Sequence, residues 1–134
     1  MEFQLLIEQL LNGLQFGTML FLMSAGLTLV FGVMGLINLA HGSFYMIGAF
    51  GAALFAEITG SFFIGLISSF IVAMFAGVIT EILVIRKLYK KDHLDQVLAT
   101  FALILIFSEG IRWIFGAYPL YLNIPLELND SVSL

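Results

Sequence analysis

From Gln9 to Ala56 the chain contains no Asp, Glu, Lys or Arg. As one helix at about 1.5 Å per residue this stretch would reach roughly 72 Å, against a hydrocarbon core of about 30 Å. It must break or turn, and the run Gly35-Leu36-Ile37-Asn38-Leu39-Ala40-His41-Gly42 marks the place. A glycine-flanked, polar break in lipid frees backbone groups, which protein or a water-lined path must satisfy. Transporters build solute routes at such breaks.

Composition sets the class. Apolar residues make up 61% and charged residues 10%, too little charge to coat a soluble globule of this length. Apolar/polar alternation is absent, which argues against a transmembrane barrel and leaves helices. Cysteine is absent, so neither a disulfide framework nor a thiolate metal site is available. No basic patch interleaved with aromatics points to nucleic acid. The expected fold is an all-α integral membrane protein with about four hydrophobic segments.

Phe3, Leu6, Ile7, Leu10 and Leu14 recur at helical spacing, with Gln4, Glu8, Asn12 and Gln15 on another face. This reads as an amphipathic lead-in to the first span, or as a helix end trailing into solvent. The start, Met1-Glu2-Phe3-Gln4, lacks the positive region of a signal peptide, so the first span itself is expected to insert. That span runs from about Leu10 to Met34. The second runs from about Leu36 to Ala56 and opens on the break. The third covers Ile58 to Ile85, and the fourth begins near Gln96 or Val97 and ends near Phe115. Pro119 and Pro125 place an irregular tail after it.

Arg86, Lys87, Lys90 and Lys91 are four of the five basic residues and lie in one charged loop, 86–96. The positive-inside rule puts that loop in the cytoplasm, as an anchor. If the three earlier segments all cross, the N-terminus lies outside. A re-entrant second segment would reverse it.

Gly65, Ser69, Ala73 and Gly77 repeat every fourth residue on the third span, a spacing that lets another backbone approach one face. Ser24, Thr28 and Gly32 form a shorter stripe, as do Gly48, Ala52 and Ala56. These stripes read first as bundle scaffold. Glu109 and Arg112, three apart on the fourth span, read as a local neutralising pair. His41 has two readings. It hydrogen-bonds the broken backbone and keeps it rigid, or it lines a solute path with Asn38. Gly42, Ser43 and Tyr45 complete this candidate path or hinge. The freed amides and carbonyls there could meet the two ends of a zwitterion. No metal set is apparent, since no second His or Cys lies at ligand spacing.

These same residues carry a resemblance. Ala25-Gly26-Leu27-Thr28-Leu29-Val30-Phe31-Gly32, then Gly35 to Gly42, then Tyr45-Met46-Ile47-Gly48-Ala49 closely resemble the N-terminal signature of branched-chain amino-acid ABC transporter permeases. Leu94 to Trp113 resembles the family's span after its basic loop. The resemblance implies a multi-pass permease subunit of the bacterial inner membrane, needing no cofactor of its own. Its implied partners are a second permease subunit, two cytoplasmic ATPase subunits and an extracytoplasmic solute-binding protein. ATP hydrolysis would fall to the ATPases, and this chain has no G-x-x-x-x-G-K-[ST] loop. Family members usually carry a second hydrophobic half with a coupling helix, so residues 1–134 are expected to form one permease unit, the N-terminal half. Relatives that take urea, short amides or other small solutes share the signature. A non-transporting membrane scaffold or truncated subunit is the reading outside the transport class.

Overall fold

The computed structural model describes residues 2–126. They form α1 (Glu2–Met34), α2 (His41–Thr59), α3 (Phe62–Thr80), a π-helical turn (Glu81–Ile85), α4 (Arg86–Leu88) and α5 (His93–Phe115). Phe62 to Leu88 continues as one helical rod, so four helices are long and apolar enough to cross a membrane. No strand occurs among the described residues. The chain is an all-helical membrane protein.

The helices stop where the backbone demands glycine. Gly35 has φ 64° and its N–H closes on Phe31 O at 2.8 Å. Gly60 has φ 67° and closes on Ala56 O at 2.9 Å. Both are left-handed caps that a side chain would strain. The second helix therefore starts at His41, later than the expected Leu36, because Gly35 turns the chain and Asn38 diverts the next amides. It also runs past Glu57 to Thr59. Its 19 residues give about 28 Å at 1.5 Å per residue, close to the core thickness.

α2 and α3 form the tightest pair, an antiparallel hairpin. A Cβ on Gly65 would fall 2.6 Å from Ala52 O and 2.7 Å from Ala56 Cβ. A Cβ on Gly48 would meet Ala73 Cβ and Ser69 O at 3.5 Å. Gly65, Ser69 and Ala73 thus share the α2-facing side, and no atom lies within 4 Å of a Cβ placed on Gly77. α5 runs parallel to α2: Phe44 meets Phe107 with ring centroids 5.8 Å apart, and Phe50 meets Phe115 at 5.0 Å.

α1 is different. Its 33 residues form one uninterrupted helix with no buried residue, so the amphipathic lead-in and the first span are a single rod. That rod is about 50 Å long, more than a bilayer core requires. It touches α2 antiparallel through a few side chains: His41 Nε2 would be 2.7 Å from a Cβ on Gly26, and Tyr45 Oη donates to Met19 Sδ at 2.9 Å.

The expected loop 86–96 is mostly helical, because α4 carries Arg86–Leu88 and α5 starts at His93. Only residues 89–92 lie between helices. Beyond Gly116 an extended strap runs back over the far end of α2, with Pro119 and Leu120 beside Phe50 and Ala53. The buried residues include Leu36, Ala40, Ile85 and Leu103 together with Asn38, Ser43, Thr80, Gln96 and Thr100. This half-polar core gathers around the break.

Candidate functional site

The break sits at the same end of the bundle as the basic loop. Ile37 N–H donates to Gln96 Oε1 and Leu39 N–H donates to Thr100 Oγ1, both at 3.2 Å. Gln96 and Thr100 are one turn apart on one face of α5, 3% and 0% exposed. Alternate amides of an extended segment point the same way, so residues 37 and 39 can both meet that face. Asn38 turns the chain into α2: its Oδ1 accepts from Ala40 N–H at 3.0 Å, and its carbonyl accepts from His41 N–H at 3.3 Å. This is the local side-chain turn at which Asn excels.

Gln96 also binds the basic loop. Its Nε2 donates to Leu88 O and Lys91 O at 3.2 Å each, and His93 Nδ1 lies 3.3 Å from its Oε1. One amide therefore joins the break, the loop and the start of α5. Thr100 donates in turn to Gln96 O at 2.7 Å, which leaves its lone pairs for Leu39.

Beside this clasp the π-helical turn sets a second polar cluster. Hydrogen bonds from i to i+5 bring side chains five apart into line. Arg86 Nη2 accordingly meets Glu81 Oε2 at 3.0 Å, and Tyr89 Oη donates to Glu81 Oε1 at 3.2 Å. Burial, then the hydrogen bond to Glu81, pushes the Tyr89 phenol up, so it stays a donor. Lys87, Lys90 and Lys91 form no ion pair among the described residues. At the other end of α5, Arg112 Nη1 meets Glu109 Oε1 at 3.2 Å, the pair its spacing expects.

The structure corrects one reading of His41. The freed amides of Ile37, Leu39 and Ala40 are held by Gln96, Thr100 and Asn38, which reach them from α5 and from within the break. The imidazole instead lies against Gly26 and, with Asn38, Gly42 and Ser24, lines a cavity of about 230 Å³ between α1 and the break. Ser43 is buried at the first turn of α2, and Tyr45 faces α1. Because the amides of residues 37, 39, 40 and 41 are committed within the chain, they do not stand free for a zwitterion. Sequence reasoning missed Gln96 and Thr100 as holders of the break. Their signal is two polar residues four apart in the first turns of an apolar helix.

Four apolar helices around a polar, side-chain-clasped break define a polytopic membrane protein with a partly buried non-helical segment. Residues 9–119 match the family described as "Branched-chain amino acid transport system / permease component", and the chain belongs to that family. It is a multi-pass protein of the bacterial inner membrane. It is similar to the high-affinity branched-chain amino acid transport system permease protein BraD of Pseudomonas aeruginosa, 48% identical over 44 residues, which cover 33% of this chain and 14% of that protein. It is also similar to the permease protein LivH of Escherichia coli and of Salmonella typhimurium, 41% identical over 49 residues, covering 37% of this chain and 16% of each relative. The chain thus covers about one sixth of the curated relatives it matches. No solved structure matches it significantly.

Proposed function

We propose that the chain forms part of the membrane-embedded permease of an ABC importer for branched-chain or other hydrophobic amino acids. The observation that carries this reading is the family match across residues 9–119, joined to relatives named for branched-chain amino acid transport. The working assembly would pair residues 1–134, as one unit and the N-terminal half of a permease, with a second permease subunit. Two cytoplasmic ATPase subunits would hydrolyse ATP, and an extracytoplasmic solute-binding protein would deliver the amino acid.

In this reading the basic end of the bundle faces the cytoplasm, anchored by Arg86, Lys87, Lys90 and Lys91. The clasped break then closes the inner end. Asn38, His41, Gly42, Ser43 and Tyr45 form its moving side: a hinge that opens when the grip of α5 on residues 37 and 39 is released. Alternating access requires such a bistable element, and a few side-chain hydrogen bonds are a barrier that ATP-driven motion of the partners can cross. Gly65, Ser69 and Ala73 hold α3 to α2, and Gly77 remains open to a neighbouring helix. The Glu109–Arg112 pair neutralises the outer part of α5.

The test is uptake. Assembled with its ATPases and binding protein in vesicles, the permease containing this chain should import leucine, isoleucine or valine only when ATP is supplied inside. ATP-dependent uptake of urea without amino-acid uptake would move it to another substrate class. Absence of any uptake from a correctly assembled complex would leave the scaffold reading.

A further inference from the structure

At the end opposite the basic loop, the strap and the α2–α3 turn border a half-open cavity of about 380 Å³. Its floor is Ala53 and Ala56 of α2, and its apolar walls include Phe62, Leu120 and Leu122. Glu57 is the charged residue among its lining, with no Lys or Arg beside it. Glu57 lies in the last turn of α2, where the helix dipole adds further negative character. Within the described residues the Glu57 carboxylate makes no ion pair.

The strap supplies the opposite character. Between Ala117 and Ile124 no backbone amide donates to any described residue. Residues 120–123 line the cavity, and none of their N–H groups donates to a described residue. We propose that this cavity is an outer receiving site for an α-amino acid with an aliphatic side chain. The ammonium sits against Glu57 and the α2 C-terminus, the carboxylate takes strap amides, and the side chain fills the apolar wall. The proposal rests on the transport reading for its direction and substrate class.

The chemistry separates this occupant from others. A lone metal cation would want several oxygen ligands, and the lining offers one carboxylate. A basic side chain from a partner protein would answer Glu57 and leave the strap amides unanswered. A zwitterion answers both, and the volume is in the range of small-ligand pockets. The break is less suited, because the amides of Ile37, Leu39 and Ala40 are already bonded to Gln96, Thr100 and Asn38.

The test is equilibrium binding of radiolabelled L-leucine to the full chain in lipid nanodiscs. Saturable binding is expected, weakened at least tenfold by Glu57→Gln, which keeps shape and removes charge. On the unaltered chain, 4-methylpentanoate lacks the ammonium and 3-methylbutan-1-amine lacks the carboxylate. Each should compete at least tenfold less well than leucine. Absence of saturable binding, equal binding by Glu57→Gln, or full competition by either half-molecule would overturn the site. Uptake measured in parallel keeps the two readings apart. ATP-driven leucine uptake without Glu57-dependent binding removes the site and keeps the importer. Glu57-dependent binding without uptake does the reverse.

Discussion

The two irregular segments of this molecule, the break at residues 35–40 and the strap beyond Gly116, contrast in how their backbones are satisfied. In the break, the amides of Gly35, Ile37, Leu39 and Ala40 are bonded, and Asn38 O takes the amide of His41. In the strap, after the amide of Gly116 closes α5 on Arg112 O, no further backbone amide finds a described partner. The difference follows from surroundings. Ala40 is fully buried, where an unpaired amide is costly, and its N–H is taken by Asn38 Oδ1, whereas Tyr118 and Tyr121 are 85% and 84% exposed. Four of the six amides in the break are tied by protein, whereas the exposed strap leaves its donors without a described partner. The first is suited to a seal and the second to a mouth.

The contrast gives a graded series of tests. Gln96→Leu should have the largest effect. It leaves Ile37 N–H, Leu88 C=O and Lys91 C=O without their partner, at about 1–3 kcal/mol each. Thermal unfolding in detergent should show a loss of several kcal/mol, and a melting temperature equal to that of the unaltered chain would remove the clasp from the account. Thr100→Val deprives Leu39 N–H of its acceptor at nearly constant volume, so the same assay should show a smaller loss, about 1–3 kcal/mol.

His41→Ala should cost less than Thr100→Val, because the imidazole holds no backbone group. His41→Gln should then rescue nothing that alanine lost. If glutamine restored stability that alanine had removed, His41 would be the holder of the break after all. The smallest effect belongs to the strap: Tyr121→Ala should shift stability by no more than about 0.5 kcal/mol, as exposed positions generally do. A loss as large as that of Thr100→Val would erase the distinction between the two segments.

Much of the fold is legible in the sequence. The charge-free run forces a break near Gly35, the apolar segments give four crossing helices, and the basic cluster marks one end. The spacing of Glu109 and Arg112 gives their pair directly. What is not legible comes from contacts distant along the chain. Ile37 and Leu39 lie 59 and 61 residues from the side chains that hold them. Nothing in the composition around Asn38 indicates that α5 supplies those partners, so the nearby His41 is the natural but incorrect candidate for holding the backbone. The start of α2 escapes for a related reason. Leu36 to Ala40 is as apolar as a helix, and the left-handed Gly35, the Asn38 side chain and the acceptors on α5 keep it non-helical. Gly65 and Gly77 share one four-residue register, yet only Gly65 has α2 against it. The period gives the face, and the hairpin geometry decides where along it another backbone arrives.

The central claim, that α5 clasps the break while the strap is left open, is tested most directly by amide hydrogen exchange on the chain in nanodiscs. The account predicts slow exchange at Ile37 and Leu39 and fast exchange at residues 120–123. It further predicts that Gln96→Leu accelerates exchange around Ile37 and leaves the strap unchanged. Exchange at Ile37 and Leu39 as fast as in the strap of the unaltered chain would contradict it.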